Sequence, residues 1–348
     1  VHHLLQIKTH LTSGAVIHSA GPGALVSYAL AGLLVIFVMR MLGEMAAANP
    51  TSGSFSTFAS EAIGPWAGYT IGWLYWFFWV IVIAIEATAG ASIIQYWLPG
   101  IPLWVLSLSL TILLTLTNIK SVKSFAEFEY WFSMVKVISI ILFLTIGAAT
   151  LLGFIPWVEK PDFSHLIEIG GFMPNGIGSV LLGITVVIFS FMGTEIIAVA
   201  AGESAEPSKA VRVATNSVIW RILIFYLGSI FIVVTILPWN SAELLKSPFV
   251  AVLEHVGVPS GAQIMNVIVL TAVLSCLNSG LYTNSRMLYG MAQKGDAPKA
   301  FLKLNKNGVP VRAILFGTFF AYIGVVFNYL SPDKVFLFLI NASGVLLY

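Results

Sequence analysis

Apolar residues along this chain come in long unbroken runs, neither alternating as in a half-buried strand nor confined to one stripe of a helix. A bilayer's hydrocarbon core takes about 20 apolar residues of helix. Nine runs meet or approach that length, near 22–46, 66–97, 101–118, 131–154, 176–201, 218–238, 261–290, 312–330 and 333–348. A shorter piece, SGAVIHSA at 13–20, has the length of half a helix. No close repeat or low-complexity linker interrupts the series, so the pattern predicts one all-α domain embedded in lipid.

Composition points the same way. Of 348 residues, 58% are hydrophobic and 9% charged, against about 25% charged in an ordinary soluble domain. The net charge of +2 and the lack of a basic cluster interleaved with aromatics argue against a nucleic-acid partner. The single cysteine, Cys276, excludes an intrachain disulfide and a cysteine-based metal cluster. The opening stretch, VHHLLQIKTHLTSG, has no apolar core of signal-peptide length.

Lys and Arg set the orientation. The loops at 40–65, 119–123, 202–221 and 286–312 hold Arg40, Lys120, Lys123, Lys209, Arg212, Arg221, Arg286, Lys294, Lys299, Lys303, Lys306 and Arg312, whereas the opposite side has Lys160, Lys246 and Lys334. The positive-inside rule puts the first set in the cytoplasm. Trp97, Trp104, Trp157 and Trp239 fall at predicted outer ends, and Trp66, Trp131 and Trp220 at inner ends, as an interfacial belt requires. Trp73, Trp76 and Trp79 form a stripe read as lipid-facing or core packing, and Gly64, Gly68 and Gly72 recur every four residues, a face on which backbones approach closely.

Four ionisable residues, Glu44, Glu86, Lys136 and Glu195, lie inside predicted spans or near their edges. A charge at the bilayer centre costs about 2.5–3.5 kcal/mol even on the gentler insertion scale, so each one is a functional candidate. Glu44 ends its run near Arg40 and reads as an inner-end residue. Lys136 lies about five residues from the start predicted for its helix, so snorkelling to the cytoplasmic interface is one reading and a buried functional amine the other. Glu86 is deep in its span, either functional or a neutral hydrogen-bonded Glu.

Glu195 has unusual neighbours. In FSFMGTEII, Ser190, Gly193 and Thr194 interrupt an apolar run. Gly disfavours helix by about 1 kcal/mol relative to Ala, and Ser and Thr compete for backbone carbonyls. A broken helix in lipid survives where protein or a water-filled cavity satisfies the freed backbone groups, and transporters bind substrate at such breaks. A kinked packing helix is the plainer alternative.

Long motifs then point to a family. GPGALVSYALAGLLVIFVMRMLGEMA, PTSGSFSTFASEAIGPWAGYTIGWLYWFFWV, FSFMGTEIIAVAAGESAEPSKAVRVATNSVIWRILIFY and SCLNSGLYTNSRMLYGMAQKGDAPKAF resemble the second helix, third-helix entry, sixth-to-seventh-helix segment and eighth helix of amino-acid permeases of the amino acid–polyamine–organocation superfamily, in the bacterial branch that includes the GABA permeases. The resemblance implies an all-α integral membrane protein of LeuT type: two inverted five-helix repeats, with helices one and six broken at the midplane. It implies a secondary transporter that imports a neutral or GABA-like amino acid with protons across the cytoplasmic (inner) membrane, with no cofactor, no metal and no catalytic residues; its partners are the amino acid, protons and the bilayer.

Carried over by motif, Phe189 resembles the aromatic lid over the substrate. Ser190, Phe191, Met192, Gly193 and Thr194 resemble the unwound substrate-binding segment, and Glu195 the acidic residue below it. Lys136, in FSMVKVISIILF, resembles the fifth-helix lysine that stands where sodium-coupled relatives hold an ion; Ser275 and Ser279 border that position. Lys136, Glu195 and Glu86 are thereby the candidates for proton coupling.

The chain departs from the family pattern at both ends. Residues 1–12 do not resemble the glycine-rich first helix, of which only Ser13-Gly14 is kept, and Tyr348 falls within the tenth helix. The expectation is an incomplete permease domain over 13–348, about nine spans, and a chain inactive in transport. The rival readings are a proton-independent exchanger and a membrane amino-acid sensor. A membrane-embedded enzyme finds no support, since the chain has neither H-E-x-x-H nor G-x-S-x-G.

Overall fold

The computed structural model describes residues 12–49, 54–191, 193, 196 and 206–330. These are helical throughout, with no strand among them. In chain order the helices are α1 (Thr12–Ala20), α2 (Ala24–Ala48), α3 (Ser54–Ala62), α4 (Pro65–Trp97), α5 (Leu103–Lys120), α6 (Val122–Leu152), α7 (Gly176–Ser190) and α8 (Pro207–Trp220). A π-helical segment (Arg221–Leu227) runs from α8 directly into α9 (Gly228–Ile236). They are followed by α10 (Ala242–Lys246), α11 (Pro248–His255), α12 (Gly261–Lys294) and α13 (Val311–Leu330).

Six helical runs are long and apolar enough to cross a membrane: Ser13–Ala48, Pro65–Trp97, Leu103–Lys120, Phe125–Leu152, Asn216–Ile236 and Gly261–Lys294. Two shorter apolar helices, Gly176–Ile188 and Val311–Val326, complete the set. Eight of the nine predicted spans thus have a helical counterpart; the ninth, 333–348, and residues 1–11 lie outside the described residues. The short helices α3, α10 and α11 had no counterpart in the reading of apolar runs, because none reaches membrane length.

One boundary needs correcting. α6 begins at Val122 rather than near 131, because Glu127 and Glu129 sit within its first turns and had the look of loop. Lys136 therefore stands about four turns inside its helix, not at its entrance.

The bundle is organised around α4 and α12. From Phe78 to Ala91, α4 is buried almost continuously, Glu86 being half-buried among apolar neighbours. α4 packs on α3, α5, α12 and α13, and α12 packs also on α6, α5 and α13; α2 packs on α7 and α8, and α6 on α9. The outer surface is apolar and faces lipid: Phe37 on α2 and Leu142 on α6 are 58% and 56% exposed. Inside, polar contacts tie helices together. Asn118 on α5 donates its amide to Asn278 on α12 at 2.8 Å, and Ser27 on α2 donates to the Val180 carbonyl of α7 at 2.8 Å. Interhelical hydrogen bonds of this sort hold membrane bundles together.

The outer tryptophans act as staples as well as interfacial anchors. Trp97 donates to Gln263, Trp157 to the Val256 carbonyl and Trp239 to the Ile169 carbonyl, at 2.9, 3.0 and 2.9 Å. Trp76 and Trp79 are buried packing residues, as the stripe suggested, and Trp73 donates to the Asp296 carbonyl. Glu44 is exposed near the end of α2.

The glycine face does what small residues allow. A Cβ on Gly68 would lie 2.5 Å from the Ser56 carbonyl oxygen of α3, and one on Gly72 2.6 Å from Met291 of α12. Because the Gly68 obstacle is backbone, Gly68→Ala should force α3 and α4 apart and cost about 1–3 kcal/mol. Gly178→Ala, where a Cβ meets nothing within 4 Å, should leave stability equal or slightly raised. Thermal unfolding of both variants in detergent, followed by size-exclusion chromatography, checks the contrast.

Candidate functional site

The apolar run that begins at Gly176 stops being helix at Ser190. Phe191 N–H reaches back only three residues, to the Ile188 carbonyl at 3.1 Å. Gly193 takes φ +95°, a conformation that an L side chain resists, and Ile196 N–H meets the Gly193 carbonyl at 3.4 Å. Ile196 then packs on the cluster Phe78, Trp79 and Val82 of α4, against which Cys276 of α12 also rests. The break is thus set against the central helix α4.

Phe189 and Ser190 form the last turn of α7; Met192, Thr194 and Glu195 lie outside the described residues. Phe191 is 2% exposed. Its ring lies edge-on to Tyr28 of α2, centroids 6.5 Å apart, and 4.6 Å from Tyr226 in the π-helical segment. That ring clamps the end of α7 to its neighbours rather than standing open. π-Helical turns recur at functional sites in membrane helices, and this one had no signal in the apolar pattern, since it leaves hydropathy unchanged.

Two turns of chemistry lie on α6 and α12. The Lys136 ammonium donates to Ser275 Oγ at 2.7 Å. Its side chain is 32% exposed and points across to α12, so the geometry is that of a half-buried amine held by a partner on the neighbouring helix. Ser275, 2% exposed, donates in turn to Glu129 Oε1. Ser133 Oγ donates to the same oxygen at 3.3 Å, and the Lys136 ammonium lies 3.9 Å from it. Arg221 and Cys276 also face the ammonium. Ser279, one turn further along α12, is half-buried, and Glu86 stands on α4. Among the described residues no three His, Cys, Asp or Glu side chains converge as a metal site would require.

Glu129 had escaped the reading of the sequence. Its signal is spacing: in EYWFSMVK, Glu129, Ser133 and Lys136 fall at i, i+4 and i+7, one face of a helix. The apolar run was taken to begin at 131, which left Glu129 outside it.

Six membrane-length helices, a shorter apolar helix that runs into left-handed backbone at Gly193, and a lysine bonded from one helix to another mark a polytopic membrane protein with the features of a transporter. The chain belongs to the amino acid permease family, whose pattern it matches over residues 7–347. It is 71% identical over 332 residues to the gamma-aminobutyric acid (GABA) permease of Bacillus subtilis (strain 168), covering 95% of this chain and 71% of that protein. It is 52% identical over 333 residues to the GABA permease of Escherichia coli (strain K12), covering 95% and 72%. To the aromatic amino acid transport protein AroP of Corynebacterium glutamicum it is 42% identical over 338 residues, covering 96% and 73%. It is accordingly an all-α, multi-pass protein of the cytoplasmic membrane and an amino-acid transporter rather than an enzyme, and the LeuT-type architecture accords with that family.

The break generates a direct test. Gly193→Ala places a Cβ on left-handed backbone, at about 1–2 kcal/mol per residue. A Cβ there meets nothing closer than Ile196 at 3.9 Å, so the cost is conformational and not steric crowding. The variant should fold with a modestly lower unfolding midpoint and should bind substrate several-fold more weakly, measured by the substrate-induced rise in that midpoint.

Proposed function

We propose that this permease imports GABA, or a neutral amino acid of similar size, together with protons. The observation that carries the reading is the Lys136 ammonium bound across the helix interface to Ser275. An amine so placed gains or loses a proton as the helices around it separate and close. The substrate part of the reading is supported by the relatives, two of which are GABA permeases.

The chemistry follows from the substrate's charges. A zwitterion leaving water needs partners for both ends, because an unpaired buried charge costs several kcal/mol. The segment formed by Phe189, Ser190, Phe191, Met192, Gly193 and Thr194 is assigned to those ends: backbone released from helix offers donors and acceptors without a competing side-chain charge. A backbone-dominated site accepts different side chains and tolerates the longer span between the ends of an ω-amino acid. Lys136 is the coupling group, with Glu195 and Glu86 as further proton-handling candidates and Ser275 and Ser279 as its neighbours on α12. Sodium is not called for in this scheme, since the lysine brings its own positive charge.

The test is uptake of labelled GABA into proteoliposomes under an imposed inward proton gradient, with no substrate inside. Saturable, gradient-dependent accumulation supports this reading and overturns the expectation, drawn from the sequence, of a chain inactive in transport. Lys136→Ala should reduce accumulation at least about tenfold, the equivalent of roughly 1.4 kcal/mol, while counterflow against preloaded GABA falls far less. Uptake that requires internal substrate and ignores the gradient would overturn proton coupling and make the protein an exchanger; full gradient-driven uptake by the variant would remove Lys136 from the mechanism.

A further inference from the structure

The hydrogen-bonded chain at Lys136 does not end at Ser275. The ammonium donates to Ser275 Oγ, and the same hydroxyl donates to Glu129 Oε1. The three groups stand in series, a cation donor, a hydroxyl that is donor and acceptor at once, and a carboxylate acceptor. The other carboxylate oxygen, Glu129 Oε2, is buried and makes no hydrogen bond with any described residue, so it keeps a lone pair free for a proton. Glu129 lies seven residues before Lys136, about 10 Å along the axis, toward the end of α6 that the Lys and Arg distribution puts in the cytoplasm. Its side chain is 26% exposed through its stem, against 32% for Lys136, so a turn of the carboxylate about that stem is what would open it to water. Besides Glu129, the groups that face the ammonium are Arg221 from the π-helical segment and Cys276 from α12; Ser133 of α6 faces the carboxylate.

We propose that Ser275 and Glu129 form a proton relay that carries the proton of Lys136 to the cytoplasm. The proposal rests on the proton-coupled reading of Lys136. In the step, one N–H bond of the ammonium breaks and its electron pair stays on Nζ. The proton goes to Ser275 Oγ as the hydroxyl's own proton passes to Glu129 Oε1. Lys136 is left as a neutral amine, Ser275 as an unchanged hydroxyl and Glu129 as a neutral acid, so charge and protons balance with no other reactant. Glu129 then turns to the cytoplasmic end and releases its proton to water, rotation of the Ser275 hydroxyl points it back at Glu129, and a proton arriving from the outer side recharges the Lys136 amine and completes the cycle.

A relay and a purely structural ion pair differ in which variant is tolerated. Glu129→Gln keeps the size and one oxygen to accept from Ser275, but its amide does not take up a proton. Ser275→Ala interrupts the chain, whereas Ser275→Thr keeps a hydroxyl. In GABA-loaded and empty proteoliposomes, gradient-driven accumulation is measured alongside counterflow, which needs no net proton movement. The expected result is a loss of accumulation of about tenfold or more with under about threefold loss of counterflow in Glu129→Gln and Ser275→Ala, and substantial recovery in Glu129→Asp and Ser275→Thr. The accumulation rate of the wild type should also rise and fall with internal pH in a way that Glu129→Gln abolishes.

Three outcomes overturn the relay. Wild-type accumulation by Glu129→Gln would show that the carboxylate carries no proton. Equal loss of accumulation and counterflow in both Glu129→Gln and Ser275→Ala would show a structural pair only. If instead the wild type shows counterflow without gradient-driven accumulation, the proton-coupled reading falls first and the relay with it, a result distinct from the other two. Should Glu129→Gln fail to fold, Ser275→Ala against Ser275→Thr decides between the same outcomes.

Discussion

A peptide group or charge without a partner costs several kcal/mol in hydrocarbon, because no water is there to replace the lost hydrogen bond. Everything distinctive about this molecule is a way of meeting or using that constraint. The long helices meet it by pairing their own backbone. Hydroxyls meet it locally: Thr88, Thr111, Thr115, Ser139, Thr145, Thr150, Thr235 and Thr318 each donate to the carbonyl four residues earlier on the same helix. The Asn118 amide does both, donating to the Leu114 carbonyl of its own helix and to Asn278 of α12, and so joins one helix to another and fixes their relative depth.

The break after Ser190 is the place where the constraint is relaxed, and its position is not arbitrary. Ile196, just beyond it, packs against Phe78, Trp79 and Val82 of α4, while Phe191, just before it, is clamped by Tyr28 and Tyr226. The two sides of the break are therefore tied to different neighbours. Motion of α2 and the π-helical segment relative to α4 and α12 would be felt at Gly193 first, because glycine there already occupies backbone that other residues avoid. A π-helical turn facing the same aromatic cluster offers backbone that can tighten by one residue with little change in packing.

The charged cluster obeys the same rule on a smaller scale. Lys136 is bearable in the bundle because Ser275 and Glu129 answer it, and Glu129 because Ser133, Ser275 and Lys136 answer it. Ser275 and Cys276 are consecutive on α12, one contacting the lysine and the other the α4 cluster of Phe78, Trp79 and Val82 on which Ile196 also rests. A single turn of α12 thus touches the group proposed to carry the proton and, through α4, reaches the end of the segment proposed to carry the substrate. That adjacency is the physical basis on which the two events can be linked, since a shift of α12 alters both.

The sequence by itself determined what hydropathy and steric preference alone decide. Runs of apolar residues set the spans, Lys and Arg the orientation, the Gly64, Gly68 and Gly72 face a close helix contact, and Ser190 with Gly193 the end of α7. Long motifs were enough to indicate the family. The partners of polar groups were decided only in three dimensions, because a hydrogen bond between α6 and α12 joins residues 139 and 146 positions apart and leaves no trace in local pattern. For the same reason local pattern does not mark Glu129 as a partner, and leaves Lys136 open to both snorkelling and burial, whereas the fold joins both residues to Ser275. The π-helical turn belongs with them. It changes the hydrogen-bond ladder but not the hydropathy, so packing around Tyr226, and not composition, is what the tertiary structure had to supply.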